Sequence, residues 1–111
     1  MSAIAVRFDG LRSLAYGSIS GTYAAVGTPI LHLSRQIKVI NNTDADVTVS
    51  FDGTTDNDFV PAGSFTLYDF QTNANTNYPF VLPNLTQPYV KTAGSPSMGS
   101  VYVTVIYGKG Q

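Results

Sequence analysis

The sequence predicts an all-β fold: an antiparallel β-sandwich, jelly-roll-like, with six to eight strands and no substantial helix. Three observations carry this. Val47, Val49 and Phe51 alternate with Thr48, Ser50 and Asp52, and Val101, Val103, Val105 and Tyr107 alternate with Tyr102, Thr104 and Ile106. Clusters rich in Asn, Asp, Gly and Pro separate such runs at short intervals. Every acidic residue is Asp, with no Glu, and Asp belongs in turns where Glu belongs in helices. The chain of 111 residues is expected to form a single sandwich domain. That length buries roughly two-thirds of the unfolded surface, enough for one core without staples.

From the N-terminus, Ala3–Phe8 is a short apolar stretch closed by Asp9-Gly10, and residues 1–10 read as an edge strand or as an arm reaching onto a neighbour. Arg12–Ser18 is expected as a strand, because Gly17 and Gly21 weaken any helix. Gly27-Thr28-Pro29 is a turn. In the next run Leu31, Leu33, Ile37 and Val39 share one phase, and Arg35 breaks it, which predicts a bulge near Ser34–Gln36. With the polar turn Asn41–Asp46 and the strand from Val47, this run is expected to form a hairpin.

Pro61-Ala62-Gly63 makes a tight corner. The strand after it has Phe65 and Leu67 on one face and Tyr68 and Phe70 on the other. Two apolar faces call for a second covering layer or a neighbouring subunit. Residues 71–87 form a long Asn-rich loop whose Tyr78 and Phe80 imply packing, with a short strand at Phe80–Leu82. Pro88–Thr92 and Ser100–Tyr107 are expected as the two arms of a hairpin around AGSPSMG.

Composition excludes several functions. There is no Cys, hence no disulfide, thiol nucleophile or Cys-based zinc site. The six Lys and Arg are scattered and the net charge is −1, so no electrostatic footprint for nucleic acid exists. No apolar run reaches the ~18 residues a membrane span needs, and the N-terminus does not read as a signal peptide. The single histidine, His32, has no partner motif for general acid–base work, so no catalytic residue and no cofactor are expected. Asp52, Asp56 and Asp58 are the candidates for a hard cation, although backbone hydrogen bonding in a turn accounts for them more simply. Tyr16, Tyr23, Tyr68, Tyr78 and Tyr89 are candidate sugar platforms, which makes a carbohydrate-binding module for host-surface attachment the alternative function.

The polar positions hold Ser, Thr and Asn rather than charge, at 12% charged residues. Such a surface suits permanent packing, because interface cores are depleted in Lys, Glu and Asp. The interface candidates are Ile4, Val6, Phe8, Tyr68, Phe70, Tyr78 and Phe80.

Four stretches run together in this chain: LRSLAYGSISGTYAAVGTP, INNTDADVTVSFDG, DNDFVPAGSFTLYD and PYVKTAGSPSMGSVYVTVIYG. In this the chain resembles the small β-sandwich virion proteins of tailed bacteriophages, over about residues 11–108. The resemblance implies a structural component present in symmetric copies: a head–tail neck or adaptor protein, a capsid-decorating cement, or a tail accessory. It implies a homo-oligomer whose partners are capsid, portal or tail proteins, made in the host bacterial cytoplasm and located in the virion. It carries over no binding residue.

Overall fold

The computed structural model describes residues 6–32, 34–70 and 85–108. Nine strands appear among them: β1 (Val6–Phe8), β2 (Arg12–Ala15), β3 (Ala24–Ala25), β4 (Ser34–Thr43), β5 (Val47–Ser50), β6 (Asp58–Val60), β7 (Phe65–Asp69), β8 (Tyr89–Lys91) and β9 (Gly99–Gly108). The only helical element among the described residues is a 3-10 turn at Tyr16–Ser18, where the sequence predicted continued strand.

The strands form two antiparallel sheets. Sheet A has the order β1-β9-β4-β7, with β2 also on β9; sheet B has the order β3-β8-β5-β6. Counting β1 and β2 as one edge, this is the eight-stranded winding of a jelly roll, as the sequence predicts. The strand count exceeds the expected six to eight because that edge is interrupted. Val6–Phe8 pair with Gly108–Ile106 and Arg12–Ala15 with Val103–Ser100. Between them Asp9 still donates its N–H to Val105 O, so the ladder is dented rather than reversed. Val6–Phe8 are therefore the edge strand of the two alternatives, in this molecule's own sheet; residues 1–5, Ile4 included, lie outside the described residues.

Arg12 fixes the dent. Its guanidinium is buried, bonds the carbonyls of Thr28, Pro29 and Gly10, and pairs with Asp9 at 3.0 Å. It thereby joins the edge strand to the Gly27-Thr28-Pro29 turn. Each of its three nitrogens donates to a carbonyl or carboxylate, as a buried cation requires. The predicted bulge is present as a register shift between Ser34 and Gln36. Leu31, expected inside, is exposed, and its neighbour Ile30 is buried instead. The backbone there is held by a bridge from Ile30 to Thr86, not by the β4 ladder, so the alternation does not extend back to it. Leu33 and the predicted strand at Phe80–Leu82 lie outside the described residues.

Both long hairpins predicted from sequence are corrected. β4 lies in sheet A and β5 in sheet B; β8 lies in sheet B and β9 in sheet A. The polar turns between them are corners that switch sheets, and β4 and β9 pair with each other along their length. A corner and a hairpin turn need the same Asn, Asp and Gly residues, so composition does not separate them. Pro61-Ala62-Gly63 likewise carries the chain from β6 in sheet B to β7 in sheet A.

The core lies between the sheets. Ile37, Val39, Val101, Val103 and Val105 face Val47, Val49, Val60 and Val90, with Ile19, Val26 and Ile30 closing the layer. Valine dominates because a β-branched side chain fits a pleated, fully covered face. No buried side-chain nitrogen or oxygen among the described residues lacks a hydrogen-bond partner.

Candidate interaction surface

The outer faces of the two sheets differ in chemistry. On sheet A, the residues out of phase with the core are Gln36, Lys38 and Ile40 on β4, Tyr102, Thr104 and Ile106 on β9, Phe65 and Leu67 on β7, and Val6 and Phe8 on β1. The register sets them in rows: Phe8, Ile106, Gln36, Asp69; then Thr104, Lys38, Leu67; then Ser13, Tyr102, Ile40, Phe65. Phe8 is 76% exposed, and Phe65 and Leu11 are each 63% exposed. Together Phe8, Asp9 and Leu11 on one side and Phe65 and Leu67 on the other wall a groove of about 460 Å³ floored by Lys38, Thr104 and Ile106. The Lys38 ammonium stands 5.3 Å from the Phe65 ring centre, a cation–π contact that keeps the charge at the surface of an apolar face.

Sheet B turns a wetter face outward. Its outer residues include Thr48, Tyr89 and Lys91, with Phe59 the large apolar exception. Lys91 pairs with Asp56 at 3.0 Å and lies 4.6 Å over the Tyr23 ring, and the Tyr23 hydroxyl donates to the same carboxylate. Burial first, then that hydrogen bond, pushes the Tyr23 hydroxyl up to about 12.

The predicted interface residues divide. Val6 and Phe8 lie exposed on the outer face of sheet A. Tyr68 and Phe70 do not; they pack against the core from the inner side, Tyr68 edge-on to Phe51. The outward residues of that strand are Phe65 and Leu67. Tyr78 and Phe80 fall outside the described residues. The sequence shows that β7 is apolar on both sides; Tyr68 and Phe70, the candidates named from it, are the inward pair, and Phe65 and Leu67 the outward one. Leu11, Ile40, Tyr102 and Ile106 share the outer face and are not among the residues named from the sequence. The available signal was an apolar residue at the polar phase of an alternating strand, as at Ile40 and Ile106.

The three candidate cation ligands serve separate partners. Asp52 accepts from the Thr54 and Thr55 N–H groups and the Ser50 hydroxyl. Asp56 serves Tyr23 and Lys91, and Asp58 accepts from the Tyr68 hydroxyl and the Phe59 N–H. Among the described residues no group of three acidic or histidine side chains is gathered to hold a metal. Of the candidate sugar platforms, Lys91 covers one face of Tyr23, Gly53 lies close enough to Tyr89 that an added Cβ would come within 3.3 Å of its ring, Tyr16 is exposed, and Tyr78 falls outside the described residues. His32 stacks on Tyr107 of β9 at 3.7 Å between centres.

The turn aspartates make stability depend on pH. The backbone N–H groups of Thr55 and Thr54 hold Asp52 far below the usual carboxylate range; Ser97 lowers Asp44, and Tyr23 with Lys91 lowers Asp56. A carboxylate lowered in the fold contributes stability above its unfolded pKa of about 4, and the contribution is lost as pH falls through the folded value. The urea midpoint is therefore expected to hold steady from neutral pH to mildly acidic pH and to drop below about pH 4. Asp52→Asn should flatten part of that drop; a variant with the parent's full acid sensitivity would assign the drop elsewhere.

No helix among the described residues is long and apolar enough to cross a membrane. The chain matches no protein-family profile, and no curated protein matches its sequence. Among solved structures it is similar to one described as "Bacillus endospore appendages form a novel family of disulfide-linked pili", with a TM-score of 0.48 and 13% identity over 96% of this chain and 91% of that one. No role, partner or residue is carried from that structure to this chain.

Proposed function

We propose that this chain is a non-enzymatic structural protein of a bacteriophage particle, one that associates with copies of itself and docks on other particle proteins in a neck, adaptor or capsid-decorating position. The observation that carries the reading is the contrast between the two outer faces: apolar on sheet A, polar and ion-paired on sheet B. A solvated sandwich alternates cleanly on both outer faces, whereas an apolar patch of this extent marks an interaction site. Low overall charge and the resemblance of the turn-and-strand stretches to small virion proteins point the same way. The jelly roll adds only a fold-level analogy, since such sandwiches build both capsid and lectin domains. Immunogold labelling of purified particles tests the reading. Label at the capsid, neck or tail is expected; particles that lack the protein overturn it.

The alternative is a carbohydrate-binding module, favoured by one grouping: Tyr23, Tyr89, Asp56 and Lys91 stand together on the outer face of sheet B. Saturable binding of the purified chain to bacterial surface glycan, lost in Tyr23→Ala, would establish it.

A further inference from the structure

We propose that β7 is the docking edge of the fold: an extended segment of another particle protein pairs with it antiparallel and adds a strand to sheet A. This rests on the reading of the chain as a protein that docks on particle partners, and it names the element used and the form of the partner.

A sheet edge is a row of unpaired N–H and C=O groups, and folds blunt it with short strands, proline, bulges or inward charges. The two sheets have four edges: β1–β2 and β7 in sheet A, β3 and β6 in sheet B. Three of them are blunted. The β1–β2 edge is dented at Asp9–Leu11 and carries the buried Arg12. β3 has two residues, and β6 has three, the first of them Asp58. β7 has five, Phe65-Thr66-Leu67-Tyr68-Asp69, pairs with β4 without a register shift, and holds neither proline nor lysine. None of those devices guards it.

The register fixes which main-chain groups point outward. The Asn41 N–H donates to Ser64 O at 2.8 Å, and the Phe70 N–H donates to Arg35 O at 2.9 Å. Alternate residues of an antiparallel pair exchange such bonds, so Thr66 and Tyr68 turn their N–H and C=O toward β4. Phe65 and Leu67 turn theirs away from it, to the open edge. Two donors and two acceptors at that spacing match what an added antiparallel strand presents. The side chains at the same two positions stand on the outer face, Phe65 63% and Leu67 53% exposed. Residues of the incoming segment opposite them would share that face, with Cβ atoms ~5 Å away. The segment should therefore be apolar at those two alternate positions. Strand addition works in this way: the main chain supplies affinity and alternate side chains supply specificity.

A second copy offers only its own β7 as an edge of this kind. Two β7 strands side by side bury far less than the ~800 Å² per partner of a standard interface, too little to hold two whole domains. An extended segment carries no domain that the same contact must hold. Tethered to a partner already on the particle, it acts at a high effective concentration.

Amide exchange followed by NMR on the full chain tests this. In the chain alone, the Phe65 and Leu67 amides should exchange fast and the Thr66 and Tyr68 amides slowly. The probe is the blocked peptide acetyl-Lys-Thr-Val-Thr-Val-Thr-Lys-amide. At saturation it should slow exchange at Phe65 and Leu67 at least about tenfold. Leu67→Pro removes one outward N–H, and proline is tolerated on edge strands; it should weaken the peptide at least about tenfold, whereas Leu67→Ala keeps the N–H and should retain the protection at Phe65. The same peptide N-methylated at both valines leaves the chain untouched and should not bind. Slow exchange at Phe65 and Leu67 in the dilute chain alone overturns the proposal, as does a peptide that gives no protection there. Equal binding of the N-methylated peptide also overturns it, since the main chain is then not being read. Protection without peptide that grows with chain concentration assigns the edge to a second copy instead. Strand addition by a chain absent from phage particles leaves the edge standing and removes the virion reading; labelled particles without strand addition do the reverse.

Discussion

Gly99→Ala is expected to lose about 3–5 kcal/mol of stability, combining left-handed backbone strain with an overpacked site. Gly99 opens β9 opposite Thr43 with a φ of +87°. A Cβ there would lie 1.8 Å from the Asn42 carbonyl oxygen, 2.8 Å from its carbon and 3.1 Å from Thr43 Cα. All three are backbone atoms of β4, so no rotamer change relieves the contact. Relief requires the ends of β4 and β9 to part, and these two strands form the centre of sheet A. At about 4–8 °C per kcal/mol for a domain of this size, the melting temperature should fall by at least about 12 °C. Gly63→Ala is the control. Its φ is +72°, yet no atom lies within 4 Å of the added Cβ, so only the backbone strain remains, about 1 kcal/mol. Equal losses at the two positions, measured by urea unfolding, would show that the Asn42 contact contributes nothing.

What the sequence discloses and what it hides follow from the range of the forces involved. The strand at Ser100–Tyr107 is legible because alternation is local: each residue reports its own face. Its partner is not legible, since β9 pairs with β4 across more than fifty residues, and nothing near Val101 distinguishes Val39 from Val90. Both predicted hairpins fail for that reason, and the jelly-roll winding survives because it rests on strand number and turn spacing. The candidate interaction surface shows the same division. That β7 is apolar on both sides is written in Phe65-Thr66-Leu67-Tyr68. Which side meets the core depends on the corner at Pro61-Ala62-Gly63, whose exit direction is set by Gly63 donating to Asn41 O. Leu11 reads as a loop residue and becomes a groove wall only because Arg12 pins the dented edge. The turn aspartates, by contrast, are legible as turn residues, because their hydrogen bonds run to neighbours a few positions away.

Asn41 is the residue whose weight the sequence hides most completely, and its replacement is expected to rival Gly99→Ala. It stands in a row of turn-forming residues, next to Asn42, and nothing in composition separates the two. In the fold Asn42 is exposed and Asn41 is fully buried. The Asn41 amide donates to the carbonyls of Ala45 at 2.8 Å and Val60 at 3.0 Å. Its oxygen accepts from the Thr43 N–H at 3.1 Å and the Thr43 hydroxyl at 2.6 Å. Val60 belongs to sheet B, so one side chain both shapes the β4–β5 corner and ties the sheets together at that end. Asn41→Ala removes four hydrogen bonds; the Thr43 hydroxyl and the Ala45 carbonyl keep each other, while the Thr43 N–H and the Val60 carbonyl lose this partner, at about 1–3 kcal/mol for each buried group left unpaired, so the expected loss is about 2–5 kcal/mol. Asn42→Ala should stay within about 0.5 kcal/mol of the parent. Asn41→Asp separates hydrogen bonding from packing. It keeps the shape but sets an acceptor-only carboxylate against two carbonyls. Burial and those carbonyls raise the pKa of the new acid, so the variant binds a proton in the fold before it does so unfolded. Its deficit relative to the parent at the same pH should therefore shrink on going from neutral pH toward pH 4 as the protonated acid regains a donor. A deficit that is constant with pH would show that Asn41 acts by filling space, and the corner would then be held by Thr43 and the Asp46–Ala62 bond alone.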